Sequence, residues 1–126
     1  MIVGLGTDLV GVQRIAAVYD RQGRRFLDRV YTAAEAAYCL EARDPGERLA
    51  ARWAAKEAAM KALGTGWTKG VRFADIEVIP AGEATPPPLR FHGAAAARCA
   101  ALGATRWHCS LSHADGMAIA TVILEG

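Results

Sequence analysis

Glu47-Arg-Leu-Ala-Ala-Arg-Trp-Ala-Ala-Lys-Glu-Ala-Ala-Met-Lys-Ala-Leu63 carries the strongest helical signal in the chain, and Gly64-Thr-Gly66 closes it as a glycine C-terminus. At about 100° per residue, Leu49, Trp53, Met60 and Leu63 form one apolar stripe, so this helix lies against a core. Lys56 falls inside that stripe. Glu57 and Lys61, four apart, share one edge of it, and Arg48 and Arg52, also four apart, share the other. An ammonium in an apolar stripe with a carboxylate beside it needs a partner. The residues leave two readings open for Lys56, an internal ion pair or a side chain that snorkels to the surface.

Upstream, Ile2 to Val10 is a short apolar run bounded by Gly11 and reads as a strand. Alternation sets Ile2, Gly4, Gly6, Asp8 and Val10 on one face and Val3, Leu5, Thr7 and Leu9 on the other, leaving Asp8 on a face cleared by two glycines. The spacing of Val12, Ile15, Ala16 and Tyr19 predicts a short helix that Gly23 interrupts. Thr32 and Glu35 form a capping-box pattern that opens an alanine-rich helix to about Ala42, ended by Asp44-Pro-Gly. Downstream, Gly70 to Pro80 reads as a strand with an irregularity near Ala74 and Asp75. Pro86-Pro-Pro88 reads as an extended spacer, Leu89 to Phe91 as an edge strand, and Gly93 to Leu102 as a helix. Trp107 to Leu124 reads as a hairpin folded at Asp115-Gly116. The expected fold is α+β, with helices packed on a mainly antiparallel sheet, in a single domain over residues 1–126.

The 126 residues, 52% hydrophobic and 22% charged, suffice for one core. A net charge of +2 is too small for a whole-chain nucleic-acid binder, although twelve of the fifteen basic residues are arginine. Cys39, Cys99 and Cys109 are odd in number and form no C-x-x-C pair, which argues against a disulfide framework and a zinc site and makes a reducing cytoplasm the expected compartment. The N-terminus lacks a basic leader region and places an acid inside its first apolar run, so no signal peptide is expected, nor any membrane span.

If the long helix packs across the first strand, the carboxylates of Asp8 and Glu57 converge. Two converging carboxylates repel, and a hard divalent cation relieves the repulsion. Mg²⁺ suits a site with one or two protein carboxylates, completing its shell with water and substrate phosphate oxygens, so a phosphorylated substrate is expected. Lys61, on the same edge as Glu57, supplies a point charge for a phosphate oxygen. Gly64 to Gly66 lets a ligand approach the backbone, although a helix C-terminus presents carbonyls. His92, His108 and His113 make no metal-ligand spacing, and no G-x-S-x-G elbow surrounds Ser110 or Ser112.

The sequence resembles the holo-[acyl-carrier-protein] synthases, the short single-domain class of 4'-phosphopantetheinyl transferases. The resemblance lies in Gly6-Thr-Asp8-Leu-Val10, in Trp53-Ala-Ala-Lys56-Glu57-Ala-Ala-Met-Lys61 with Gly64-Thr-Gly66, and in Ser110-Leu-Ser112-His113. One departure is Ala59, where many members carry a bulkier apolar residue. The resemblance implies Mg²⁺-dependent transfer of the phosphopantetheine arm of coenzyme A to a serine of apo-acyl carrier protein, a step of fatty acid biosynthesis that releases adenosine 3',5'-bisphosphate. It further implies Mg²⁺ on Asp8 and Glu57 and Lys61 on the phosphates. Arg52 and His113 would lie near the nucleotide, with Gly64, Thr65 and Gly66 lining the adenine side. It implies a homotrimer with each site between two protomers. Glu57 or a metal-bound water takes the serine proton, and the residues leave that choice open.

Arg14, Arg21, Arg24, Arg25 and Arg29 face only Asp20 and Asp28 over their stretch. Such a run is ordinarily a solvated face; by the resemblance it docks the acidic carrier protein, and a nucleic acid is disfavoured because only Tyr19 and Phe26 interleave. Two other functions fit the same residues. One is a non-catalytic module binding coenzyme A or an acidic protein, with Asp8 and Glu57 in a structural ion-pair site; the other is a Mg²⁺-dependent pyrophosphatase of nucleotide derivatives.

Overall fold

Gly4 and Gly6 decide how the molecule assembles, because they allow the long helix to lie directly on the first strand. A Cβ on Gly6 would stand 1.9 Å from the Ala58 carbonyl oxygen, and one on Gly4 2.3 Å from that of Ala62. The computed structural model describes residues 1–82 and 85–126. The strand is β1 (Ile2–Gly11), followed by α1 (Val12–Gln22), α2 (Arg24–Val30), α3 (Ala33–Leu40) and the long helix α4 (Gly46–Leu63). A 3₁₀ turn (Phe73–Asp75) leads into β2 (Ile76–Val78), then come β3 (Leu89–Phe91), α5 (Gly93–Leu102), β4 (Arg106–Ala114) and β5 (Met117–Glu125).

The fold is α+β and its strand pairs are antiparallel. One sheet has the order β1-β5-β4 and the other pairs β2 with β3. The β4–β5 hairpin turns at Asp115 and Gly116, both with positive φ, the geometry that an Asp-Gly pair adopts at low cost. α4 covers the inner face of the larger sheet, so Ala54, Ala55, Ala58 and Ala59 are fully buried against Ala118, Ala120, Val122 and Leu124. Ala59 is fully buried between helix and sheet, a place that rewards a small side chain.

Three expectations need correction. Ile2 is exposed and does not share the face of Gly4, Gly6 and Asp8, because a register irregularity between Ile2 and Gly4 breaks the alternation at the strand's start. The Arg-rich stretch is not one solvated run, since α2 buries Phe26, Leu27 and Val30 between its arginines. Residues 70–80 form a strand only from Ile76 to Val78: Asp75 is buried, accepts the Arg72 N–H at 3.1 Å and pairs with the Arg72 guanidinium at 2.9 Å, which winds residues 73–75 into a turn. The Thr32–Glu35 capping box is present in full.

Candidate active site

The close approach of α4 to β1 brings Asp8, Glu57 and Lys61 to one rim. Lys61 Nζ donates to the Thr7 carbonyl at 2.9 Å and to Asp8 Oδ1 at 3.2 Å. The Asp8 side chain is 15% exposed and that of Lys61 53%, so the carboxylate is recessed and the ammonium reaches across it. Glu57 is half-buried. Burial pushes its pKa up, the Asp8 carboxylate pushes it further, and Trp67, Lys61 and Arg14 oppose the shift. The two carboxylates therefore lie within electrostatic reach of each other, as expected if the helix crosses the strand.

At the end of α4, Gly64 takes the left-handed conformation at φ +72°, and the Thr65 and Gly66 amides return to the Met60 carbonyl at 3.2 and 3.4 Å. Arg98 Nε caps the freed Leu63 carbonyl at 2.9 Å. Thr65 is buried and its hydroxyl bonds the Gly66 carbonyl, so among Gly64, Thr65 and Gly66 only the two glycines are open to an incoming ligand.

Arg52 and His113 lie elsewhere. They share a cavity of about 580 Å³ with Tyr38, Arg48 and Ser110, and neither Asp8, Glu57, Lys61 nor residues 64–66 line it. The guanidinium carbons of Arg48 and Arg52 stand 4.1 and 4.4 Å from the centre of the Tyr38 ring. Arg52 is buried and its Nε has no hydrogen-bond partner among the described residues. His113 Nε2 lies 3.3 Å from Glu47 Oε1 at the cavity edge. The sequence-expected residues thus form two half-sites on opposite flanks of α4. Arg48 and Tyr38 were not expected in the second; the i,i+4 pairing of Arg48 with Arg52 was the available signal.

Lys56 belongs to neither half-site. Of its two readings the internal ion pair holds, with Glu35 as partner at 2.8 Å and both side chains shut from solvent. Among the described residues no cluster of three or more His, Cys, Asp or Glu side chains gathers for a metal. Arg14, Arg21, Arg24, Arg25 and Arg29 extend over α1 and α2, and α2 presents Arg24, Arg25 and Arg29 outward.

Residues 4–122 match the family model of the 4'-phosphopantetheinyl transferase superfamily. A holo-[acyl-carrier-protein] synthase of Koribacter versatilis is 51% identical over 127 residues, covering 99% of each chain. The crystal structure of the Neisseria meningitidis holo-[acyl-carrier-protein] synthase superposes with a TM-score of 0.88 at 32% identity, covering 100% of both chains. That of the Helicobacter pylori synthase, solved in complex with coenzyme A, gives 0.81 at 28% identity over 96% of this chain and 99% of its own. With the family model matched over residues 4–122 and relatives matched end to end, the chain belongs to the 4'-phosphopantetheinyl transferase superfamily and, within it, to the holo-[acyl-carrier-protein] synthases.

Proposed function

We propose that the whole chain, as one transferase domain, moves 4'-phosphopantetheine from coenzyme A to a serine hydroxyl of apo-acyl carrier protein. The serine oxygen bonds to the phosphorus that carries the pantetheine arm, the bond from that phosphorus to the bridging oxygen breaks, and adenosine 3',5'-bisphosphate leaves. The observation that carries this reading is the convergence of Asp8 and Glu57 with Lys61 on one rim of β1 and α4. The coenzyme A bound by the Helicobacter pylori relative supports the donor.

Asp8 and Glu57 are the residues that would hold Mg²⁺, which when bound offsets negative charge on the pyrophosphate. Lys61 is placed to hold a phosphate oxygen and to balance charge as the leaving group departs. Glu57, or a water beside it, would accept the serine proton. The cavity of Arg48, Arg52 and His113 suits the anionic nucleotide half of the donor, and Gly64 and Gly66 would line its adenine side. Arg14, Arg21, Arg24 and Arg25 are read as the docking surface for an acidic carrier.

The two half-sites lie on different flanks of one chain, which supports a homotrimer in which the rim of one protomer faces the cavity of the next. The outer face of the larger sheet supports it too: Leu5 and Leu9 of β1 are 63% and 59% exposed, and Leu9 pairs with the exposed Ile119. A fully active monomer in sedimentation would overturn that part. No helix among the described residues is long and apolar enough to cross a membrane, and the three cysteines are buried free thiols, which suits work in the cytoplasm on the carrier of fatty acid synthesis.

Mass spectrometry of apo-carrier protein incubated with the chain, coenzyme A and Mg²⁺ tests the reaction. The expected result is a gain of one phosphopantetheine on the carrier. Hydrolysis of coenzyme A without that gain would make the chain a pyrophosphatase, and no change at all would make it a binding module.

A further inference from the structure

Trp67 is a large apolar side chain that the fold does not bury. It is 66% exposed, whereas Trp53 and Trp107 both pack against the core. It is nonetheless held in place. The segment after α4 turns through left-handed residues at Gly64, Gly66, Lys69 and Gly70, and is closed by hydrogen bonds from the Thr68 hydroxyl and amide to the Thr65 carbonyl and from the Val71 amide to the Thr68 carbonyl. One side of the indole rests on Phe73, with ring centres 5.8 Å apart. The other side is free.

Its neighbours place it between the reacting rim and the basic surface. Trp67 and Arg14 of α1 both act on the Glu57 carboxylate, each favouring its charged form. Phe73 stacks on Trp53 at 4.7 Å, and Trp53 packs on Phe26 of α2 at 6.1 Å. A row of rings therefore runs from Trp67 to the helix that presents Arg24 and Arg25. Trp67 does not line the Arg52 cavity.

Resting on the transferase reading above, we propose that Trp67 is a specificity-determining contact for the carrier protein, an apolar anchor beside Glu57 that seats the carrier's serine-bearing face while the arginines of α1 and α2 hold its acidic rim. An exposed tryptophan is among the side chains most enriched at protein–protein hot spots, where a ring of weaker polar contacts keeps water from a central aromatic. The cavity of Arg48, Arg52 and His113 does not reach Trp67, which stands instead at the Glu57 rim where the carrier's serine must arrive.

The test compares Trp67→Ala and Trp67→Phe with the wild-type chain, using apo-acyl carrier protein and coenzyme A. For Trp67→Ala the KM for the carrier is expected to rise about tenfold or more, as for loss of a hot-spot side chain, with the KM for coenzyme A within about twofold. Trp67→Phe should restore most of the loss. Independently of turnover, adding apo-carrier without coenzyme A should shift the tryptophan emission of the wild-type chain to the blue, and that shift should vanish in Trp67→Phe. An unchanged carrier KM in Trp67→Ala, a rise in the coenzyme A KM alone, or an equal rise in both overturns the assignment while leaving the transferase standing. A wild-type chain that modifies no carrier overturns the transferase reading and the assignment with it.

Discussion

Lys56 Nζ lies 2.8 Å from Glu35 Oε1 in the fully buried interior, while the next residue along the helix, Glu57, reaches the rim beside Asp8. Two adjacent charged residues of one helix thus serve opposite sides. Lys56 also donates to the carbonyls of Phe73, at 3.0 Å, and Ile76, and Glu35 accepts the Thr32 and Val78 amides at 2.7 and 2.8 Å. The pair therefore ties α3, α4 and the start of β2 together, and it fixes the rotation of α4 that aims Glu57 at β1. Burial pulls the Lys56 pKa below its ordinary value and Glu35 opposes that pull.

Removing one partner should be far worse than removing both. Lys56→Met leaves a buried carboxylate without its counter-ion, and urea unfolding should show a loss of about 3 to 5 kcal/mol. Glu35→Leu with Lys56→Met removes both charges, so the double variant should lose much less than the sum of the singles. An additive double-mutant cycle would show that the two side chains do not act as a pair.

The glycines of β1 should be intolerant in a graded way. Gly6→Ala sets a Cβ into the α4 backbone and forces helix and strand apart, an overpacking cost of about 1 to 3 kcal/mol or more by urea unfolding. Gly11→Ala is the control: φ there is −73°, and the nearest atom to a new Cβ is Met117 Sδ at 4.0 Å. That variant should stay within about 0.5 kcal/mol of wild type.

The long helix, the glycine-cleared strand, the capping box and the Asp-Gly hairpin were legible because each is a local pattern with one cheap backbone solution. Glu57 and Lys61 were legible for the same reason, as an i,i+4 pair on a helix edge. α2 was not, since its apolar triplet Phe26, Leu27 and Val30 is scattered among arginines and its burial depends on packing against other elements. Glu35 was legible as a cap but not as the partner of Lys56, because that contact spans 21 residues and exists only once α3 and α4 pack. The separation of Arg52 and His113 from Asp8 was hidden likewise, since it depends on how α4 lies across the sheet from β1 to β4.

Charge reversal on the basic surface should act on one substrate. Arg21 and Arg25 are exposed, and neither makes an ion pair among the described residues, whereas Arg24 pairs with Asp28 at 3.4 Å. Arg21→Glu or Arg25→Glu should raise the carrier KM roughly three- to tenfold through slower encounter, leave the coenzyme A KM nearly unchanged, and flatten the salt dependence seen with the wild-type chain. Steady-state kinetics over a salt series measures all three. Equal losses for both substrates would instead report a folding defect.

Asp8→Asn and Glu57→Gln bear on the cation site itself. A carboxylate whose pKa is raised in the folded chain holds its proton more tightly there than in the unfolded one. Metal-free stability therefore falls as pH rises from the ordinary carboxylate value through the raised one, and the penalty is fully present at neutral pH. Glu57→Gln removes that penalty, so without metal it should melt at or slightly above wild type at neutral pH, and the difference should vanish below the ordinary carboxylate range. Asp8→Asn relieves the same repulsion but loses the contact with the half-exposed Lys61, a small term, and should stay within about 0.5 kcal/mol of wild type. Mg²⁺ should raise the melting temperature of wild type and of neither variant, because only a group that binds the folded state stabilises it. Turnover of both should fall at least about a hundredfold, as for loss of a proton acceptor or of the group beside it. Marked metal-free destabilisation with catalysis per folded molecule retained would instead make Asp8 and Glu57 structural, and would remove the cation from the mechanism.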